Sequence, residues 1–186
     1  KLRQEFRAPE HLEHVYLRTR AVREGEASLE FFFNAHCAAA PGNGYSIRVE
    51  GRCGQSVFTE ERPMLFQSGS FGFGVGSPLL WWPRGRGSQN LYRVTVWLLK
   101  DGKELHRLSF RHGIRTVELD RTEVTDEAGS GKFVFLVNGE KIFAKGSNWV
   151  PADAYHSRDA ERIPRMLDLA EEAGCNMLRC WGGNVY

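Results

Sequence analysis

From residue 12 to about residue 119, apolar and polar residues alternate at every second position, and each run breaks at glycine, proline, asparagine or aspartate. Side chains of an extended strand point to opposite faces in turn, so the pattern describes strands with one dry and one wet side, stacked as an antiparallel sandwich. Val15, Leu17 and Thr19 interleave with Tyr16, Arg18 and Arg20, and Leu29, Phe31, Phe33, Ala35 and Cys37 oppose Ser28, Glu30, Asn34 and His36. After a turn at Pro41-Gly42-Asn43-Gly44, Tyr45, Ile47 and Val49 repeat the alternation, and Val57 and Phe58 mark a short fourth strand. Tyr92, Val94, Val96 and Leu98 make a strong strand, and Asp101-Gly102 suits a two-residue hairpin into a strand over 105–110. Six or seven such strands predict an immunoglobulin-like β-sandwich over residues 10–119, with residues 1–9 as a linker. The glycines from Gly69 to Gly76 are spaced as in a phosphate-cradling loop, but Pro78 and an apolar segment follow where a helix is needed. A flexible loop or bulged edge strand is the reading that fits.

Residues 120–186 follow a different rhythm. The stretch 118–131 is polar and turn-rich, and marks the boundary. Residues 133–137, the Asn138-Gly139 turn and residues 141–145 carry a hairpin signal. The strand expected at 142–145 then leads through a polar loop into a helix and a second strand, one βαβ unit. Ser157 is a candidate N-cap, and Ile163, Met166, Leu167 and Ala170 recur at the spacing of one buried helical face. Pro164 within that pattern demands a late start or a kink near Ile163, and Gly174 supplies the stop. Met177, Leu178 and Cys180, with Arg179 among them, make the second strand. Functional groups in such units gather beyond the carboxyl ends of the strands.

Asn148-Trp149-Val150-Pro151-Ala152-Asp153, followed by Asn176-Met177-Leu178-Arg179-Cys180-Trp181-Gly182-Gly183, resembles the opening of the catalytic (β/α)8 barrel of glycoside hydrolase family 2, of the β-mannosidase type. Leu80-Trp81-Trp82-Pro83 with Gly85, Gly87, Leu91 and Tyr92, and then Gly113-Ile114-Arg115, are similar to the sandwich domain of the same family. The resemblance implies a mostly β chain: an immunoglobulin-like middle domain followed, over 120–186, by the first βαβ portion of a TIM barrel. It implies a parent enzyme that is a retaining exo-β-mannosidase acting on terminal β-D-mannose, with a carbohydrate partner and neither cofactor nor metal. By the same resemblance Arg179 maintains the charge of a nucleophilic glutamate, Trp181 lines the pocket, and Asp153, Trp149 and Asn148 are further substrate-binding candidates. Both catalytic glutamates would lie downstream, so this chain alone is expected to be inactive, and its exposed barrel strands to permit self-association.

The residues themselves leave alternatives open. Retaining hydrolysis needs two carboxyl groups about 5 Å apart, one acid and one nucleophile. Asp159, Glu161, Asp168, Glu171 and Glu172 fall on the predicted helix and read as solvated. Asp153 either accepts bonds from sugar hydroxyls or stabilises its own loop as an Asx turn. Arg179 either serves a nucleophile or forms a structural ion pair. Trp149, Trp81 and Trp82 read as packing residues before they read as sugar platforms, and Asn184 serves either substrate or its own Gly-Gly turn. Another family 2 glycosidase, acting on β-glucosaminides or β-galactosides, and a non-catalytic carbohydrate-binding or adhesion sandwich remain the competing readings.

Composition narrows the partners. Lys and Arg number 25 against 23 Asp and Glu, a net charge of +2, and Arg3, Arg7, Arg18, Arg20 and Arg23 are interspersed with Glu5, Glu10, Glu13, Glu24 and Glu26. This is a mixed-charge surface and not a nucleic-acid site. No apolar run reaches membrane-spanning length. Cys37, Cys53, Cys175 and Cys180 lack Cys-x-x-Cys spacing, so zinc is not expected; Cys37 and Cys53 could meet across strands, but free thiols are the plainer reading. His11 and His14 alone make no metal site. Free cysteines and the absence of Asn-x-Ser/Thr sequons lean towards a cytoplasmic setting.

Overall fold

The computed structural model describes residues 8–122, 129 and 131–182. Seven strands build the sandwich: β1 (His11–Arg23), β2 (Glu26–His36), β3 (Tyr45–Cys53), β4 (Ser56–Pro63), β5 (Ser68–Gly76), β6 (Tyr92–Lys100) and β7 (Lys103–His112). One sheet runs in the order β1-β2-β5 and the other β4-β3-β6-β7, with every neighbour antiparallel. The alternation read from the sequence becomes the core. Ala27, Leu29 and Phe31 of the first sheet and Ile47, Val49, Tyr92, Val94, Val96 and Leu98 of the second are fully buried in one cluster. Each large apolar side chain buried this way stabilises the fold by about 1.5–3 kcal/mol. A slip of register by one residue would turn the whole set into water, so the pattern fixes the pairing.

Turn chemistry agrees with it. Asp101 and Gly102 take φ of 50° and 77°, both positive as a type I′ hairpin requires. Inside the core the Tyr92 hydroxyl donates to Ser56 Oγ at 2.7 Å and accepts from the Leu79 N–H at 2.9 Å, so two buried polar groups are satisfied together. Cys37 and Cys53 are free thiols, and burial raises the pKa of Cys37, with Glu10 adding to the shift.

Two strands differ from their sequence reading. β4 spans eight residues, longer than the pair Val57 and Phe58 suggested, because its polar half is held by side chains of β3: Arg48 Nε donates to Glu61 Oε2 at 2.8 Å and Ser46 Oγ to Glu61 Oε1 at 2.8 Å. An edge strand can be this polar because one rim meets solvent. The glycine-rich stretch is neither a loop nor bulged: β5 pairs with β2 from Asn34↔Ser68 to Glu26↔Gly76 without a register shift. Phe73 and Val75 are buried and Phe71 packs on the core, while a Cβ at Gly74 would come 2.5 Å from Glu26 Oε1.

The second compact unit comprises Trp82–Gln89 and the chain from Val117 onward. It holds β8 (Val117–Arg121), β9 (Phe133–Val137) and β10 (Glu140–Ile142) in the order β10-β9-β8, a parallel pair β11 (Gly146–Trp149) and β12 (Met177–Cys180), and helix α1 (Asp159–Glu172). β8 falls in the stretch read as boundary; its Glu118, Asp120 and Arg121 concealed a strand that pairs along β9. Asn138 and Gly139 make the second type I′ turn, with φ of 52° and 80°. No described helix is long and apolar enough to cross a membrane.

Both tryptophans of the Trp-Trp-Pro motif are packing residues. Within the sandwich, the Trp81 ring lies 4.2 Å from the Arg115 guanidinium and so close to Gly113 that a Cβ there would meet Trp81 at 2.9 Å. Within the second unit, Gly87 takes a φ of 156° and passes Trp82 so closely that a Cβ would meet its ring at 2.8 Å.

Candidate functional site

The parallel strand of the second unit begins later than expected. Residues 142–145 read as a strand from Ile142 and Phe143, but Ile142 closes the β9–β10 hairpin opposite Phe135, and the parallel ladder is made by Gly-Ser-Asn-Trp. Asn148 and Trp149 therefore lie within β11 and not in the loop after it. Pairing runs Gly146↔Met177, Ser147↔Leu178, Asn148↔Arg179 and Trp149↔Cys180, and the Trp181 N–H extends it by donating to Trp149 O at 2.9 Å. Gly146 is required by close approach, since a Cβ there would stand 1.7 Å from the Met177 carbonyl oxygen.

Alternation puts Asn148 and Arg179 on one face of this pair, and Arg179 Nη1 donates to Asn148 Oδ1 at 3.1 Å. They line an open depression of about 430 Å³ together with Ala144, Gly146, Ser147 and Met177. The other sequence candidates are placed differently. Trp149 is half-buried and, by alternation, turned to the opposite face from Asn148. Trp181, two residues past Arg179, keeps 52% of its surface exposed. Asn184 lies outside the described residues.

Asp153 is engaged by the turn that starts the helix. Its Oδ2 accepts from the Ser157 hydroxyl at 2.9 Å and the Ser157 N–H at 3.1 Å, and Arg162 Nη1 approaches Oδ1 at 3.4 Å. The Ser157 hydroxyl above all, then the Ser157 N–H and the Arg162 charge, hold this carboxyl below its ordinary pKa. Ser157 is thereby occupied, and the N-cap is Arg158, which makes no side-chain capping bond. The helix runs through Pro164 and stops as read: Gly174 has φ of 73°, its N–H donates to Glu171 O and that of Cys175 to Ala170 O, both at 2.9 Å, a Schellman closure. Its expected buried face is only half covered, with Ile163, Met166 and Ala170 half-buried and Leu167 46% exposed, because no described element encloses it. Glu171 pairs with Arg84, and Glu172 with Arg165 at 3.3 Å, so these carboxylates are surface ion pairs.

One residue absent from the sequence candidates ties the two segments together at the amino-terminal end of the pair. Asn176, just before β12, accepts the Lys145 N–H on Oδ1 at 2.8 Å and donates from Nδ2 to Phe143 O at 3.0 Å, while its own N–H donates to Lys145 O at 2.8 Å. A lone asparagine ahead of a short apolar run was the available signal, and a single sequence does not say which distant backbone it bonds.

The chain is 43% identical over 120 residues to "Beta-mannosidase B" of Aspergillus clavatus, covering 64% of this chain and 14% of that protein. It is 36% identical over 174 residues to "Beta-mannosidase A" of Aspergillus terreus, covering 86% of this chain and 18% of that protein. Among solved structures, the β-D-mannosidase of Dictyoglomus thermophilum superposes with a TM-score of 0.78 at 30% identity, covering 96% of this chain and 22% of that one. The chain thus spans less than a quarter of the length of these relatives. Residues 10–115, the whole sandwich and more than half of the chain, match the model of "Glycosyl hydrolases family 2", and to that family this chain belongs.

Proposed function

We propose that this chain is a segment of a retaining exo-β-mannosidase, in which residues 10–119 form the immunoglobulin-like middle domain and residues 120–186 begin the catalytic barrel. The observation that carries the reading is the Asn148–Arg179 pair at the mouth of two parallel strands joined by a helix, lining an open depression. A guanidinium there favours the ionised form of a carboxylate brought beside it, which is what a glycosyl-accepting nucleophile needs. Trp181, 52% exposed, supplies a ring on which the C–H groups of a pyranose can stack, and Asp153, holding its own turn, and Trp149, in β11, are the further substrate-binding candidates. The relatives named as β-mannosidases support mannose as the sugar.

The reaction needs two carboxyl groups facing each other about 5 Å apart across the glycosidic bond. Within the described part of the second unit Asp153 is bound into its turn, Asp159 is partly buried and paired with His156 at 2.7 Å, and Glu171 and Glu172 are paired at the surface. By the family resemblance the acid and the nucleophile are assigned to chain beyond this segment, and the segment alone is expected to show no turnover. The test uses the full-length protein on aryl β-mannoside, β-glucosaminide and β-galactoside. The expected result is the highest kcat/KM on the mannoside with β-mannose as the first product, and no turnover by the 186-residue chain above a heat-killed control. Preference for another sugar, or turnover by the isolated chain, contradicts the reading.

A further inference from the structure

Asn176 lies at the amino-terminal end of the parallel pair, next to Met177 and bonded on both sides of Ala144 at the edge of the depression, and this one residue makes three hydrogen bonds to the segment leading into β11. We propose that Asn176 is the positioning residue of this site: it fixes the parallel register in which Asn148 falls opposite Arg179, and so aims the guanidinium. Apart from Gly146, whose missing Cβ admits the close approach to Met177, little else specifies that register. The ladder has four residue pairs, Met177 and Leu178 are only half-buried, and Gly146 and Ser147 present almost no apolar surface. Short strands without a buried face are prone to slip, and a slip of one residue turns Asn148 to the face away from Arg179. The asparagine amide suits the task because it accepts from Lys145 N–H and donates to Phe143 O at once, spanning the backbone on both sides of Ala144. An aspartate keeps the acceptor but sets a carboxylate oxygen against the Phe143 carbonyl; an alanine keeps neither bond.

The inference rests on the reading of Arg179 above, and the experiment separates the two. In the full-length protein, kcat and KM on an aryl β-mannoside are measured across pH for Arg179→Ala, Asn176→Ala and Asn176→Asp. Removing the cation raises the apparent pKa of the acidic limb, since the carboxylate it served loses an opposite charge. Asn176→Ala is expected to move the limb the same way and to lower kcat about a hundredfold with a smaller change in KM, as misaimed groups do. Asn176→Asp falls between. A lower melting temperature with the limb unmoved in both Asn176 variants makes the residue merely structural and overturns the proposal. If Arg179→Ala itself leaves the limb in place, the reading of Arg179 fails and the register is judged in the 186-residue chain. There, backbone NOEs between Asn148 and Arg179 are expected in the wild type and lost in Asn176→Ala, and their persistence overturns the inference.

Discussion

In the sandwich Phe31, Ile47, Val94 and Val96 have lost all contact with water, whereas no side chain of α1 is buried and Leu167 keeps 46% of its surface exposed. The second unit also leaves Phe143 76% exposed. Its order comes from elsewhere: a glycine that permits close backbone approach, an asparagine that bridges two strands, an aspartate that ties a turn, and a Schellman closure. The difference teaches that one chain can define two structures by different means. Burial specifies the sandwich through many interchangeable contacts, and a few polar bonds specify the part that carries the candidate site.

That contrast predicts unequal responses to truncation. Phe31→Ala empties the middle of the sandwich core and should lower its unfolding free energy by about 3–5 kcal/mol, read from denaturant titration. A loss below about 1 kcal/mol would mean that the core is not the cooperative unit described here.

The sandwich also contains a pH-sensitive residue. His112, at the end of β7, has its pKa lowered from 6.5 to about 4, by burial first and by the Arg115 charge second, and Thr19 Oγ1 lies 3.4 Å from its Nε2. The folded state therefore prefers the neutral ring. Stability from this group is fully present above pH 6.5 and is lost as pH falls towards 4, because the unfolded chain takes up the proton first. The full effect is on the order of 3 kcal/mol. His112→Gln should flatten the slope of unfolding free energy between those limits, and an unchanged slope would remove His112 from the account.

Leu167→Ala sharpens the comparison from the other side. The side chain covers no core, and alanine is the better helix former, so a change within about 0.5 kcal/mol is expected in thermal melts followed at 222 nm. A loss several times larger would show that α1 is packed as tightly as the sandwich strands.

The same contrast explains what the sequence disclosed. Wherever one face of a strand is buried, period-two alternation is legible, and β1, β2, β3, β6 and β7 stand where Leu17, Phe31, Val49, Val96 and Leu108 place them. Asp101-Gly102 and Asn138-Gly139 were equally plain, because few other pairs accept positive φ twice in succession. β8 was hidden by its charges, and β11 by its small polar residues, which resemble a loop. Its register depends on Asn176, some thirty residues away in sequence, and periodicity carries no information about such a bond. Of the candidate site, the partnership of Asn148 and Arg179 emerged only with the parallel pairing, and the engagement of Asp153 by Ser157 only with the turn.

Amide hydrogen exchange on the dilute 186-residue chain tests the contrast most directly. Amides of β2, β3 and β6 should exchange only through global opening, while those of β11, β12 and α1 exchange at least about 100-fold faster through local opening. Equal protection of the two sets would contradict the account, because it would require buried contacts around β11, β12 and α1 of the kind seen in the sandwich core.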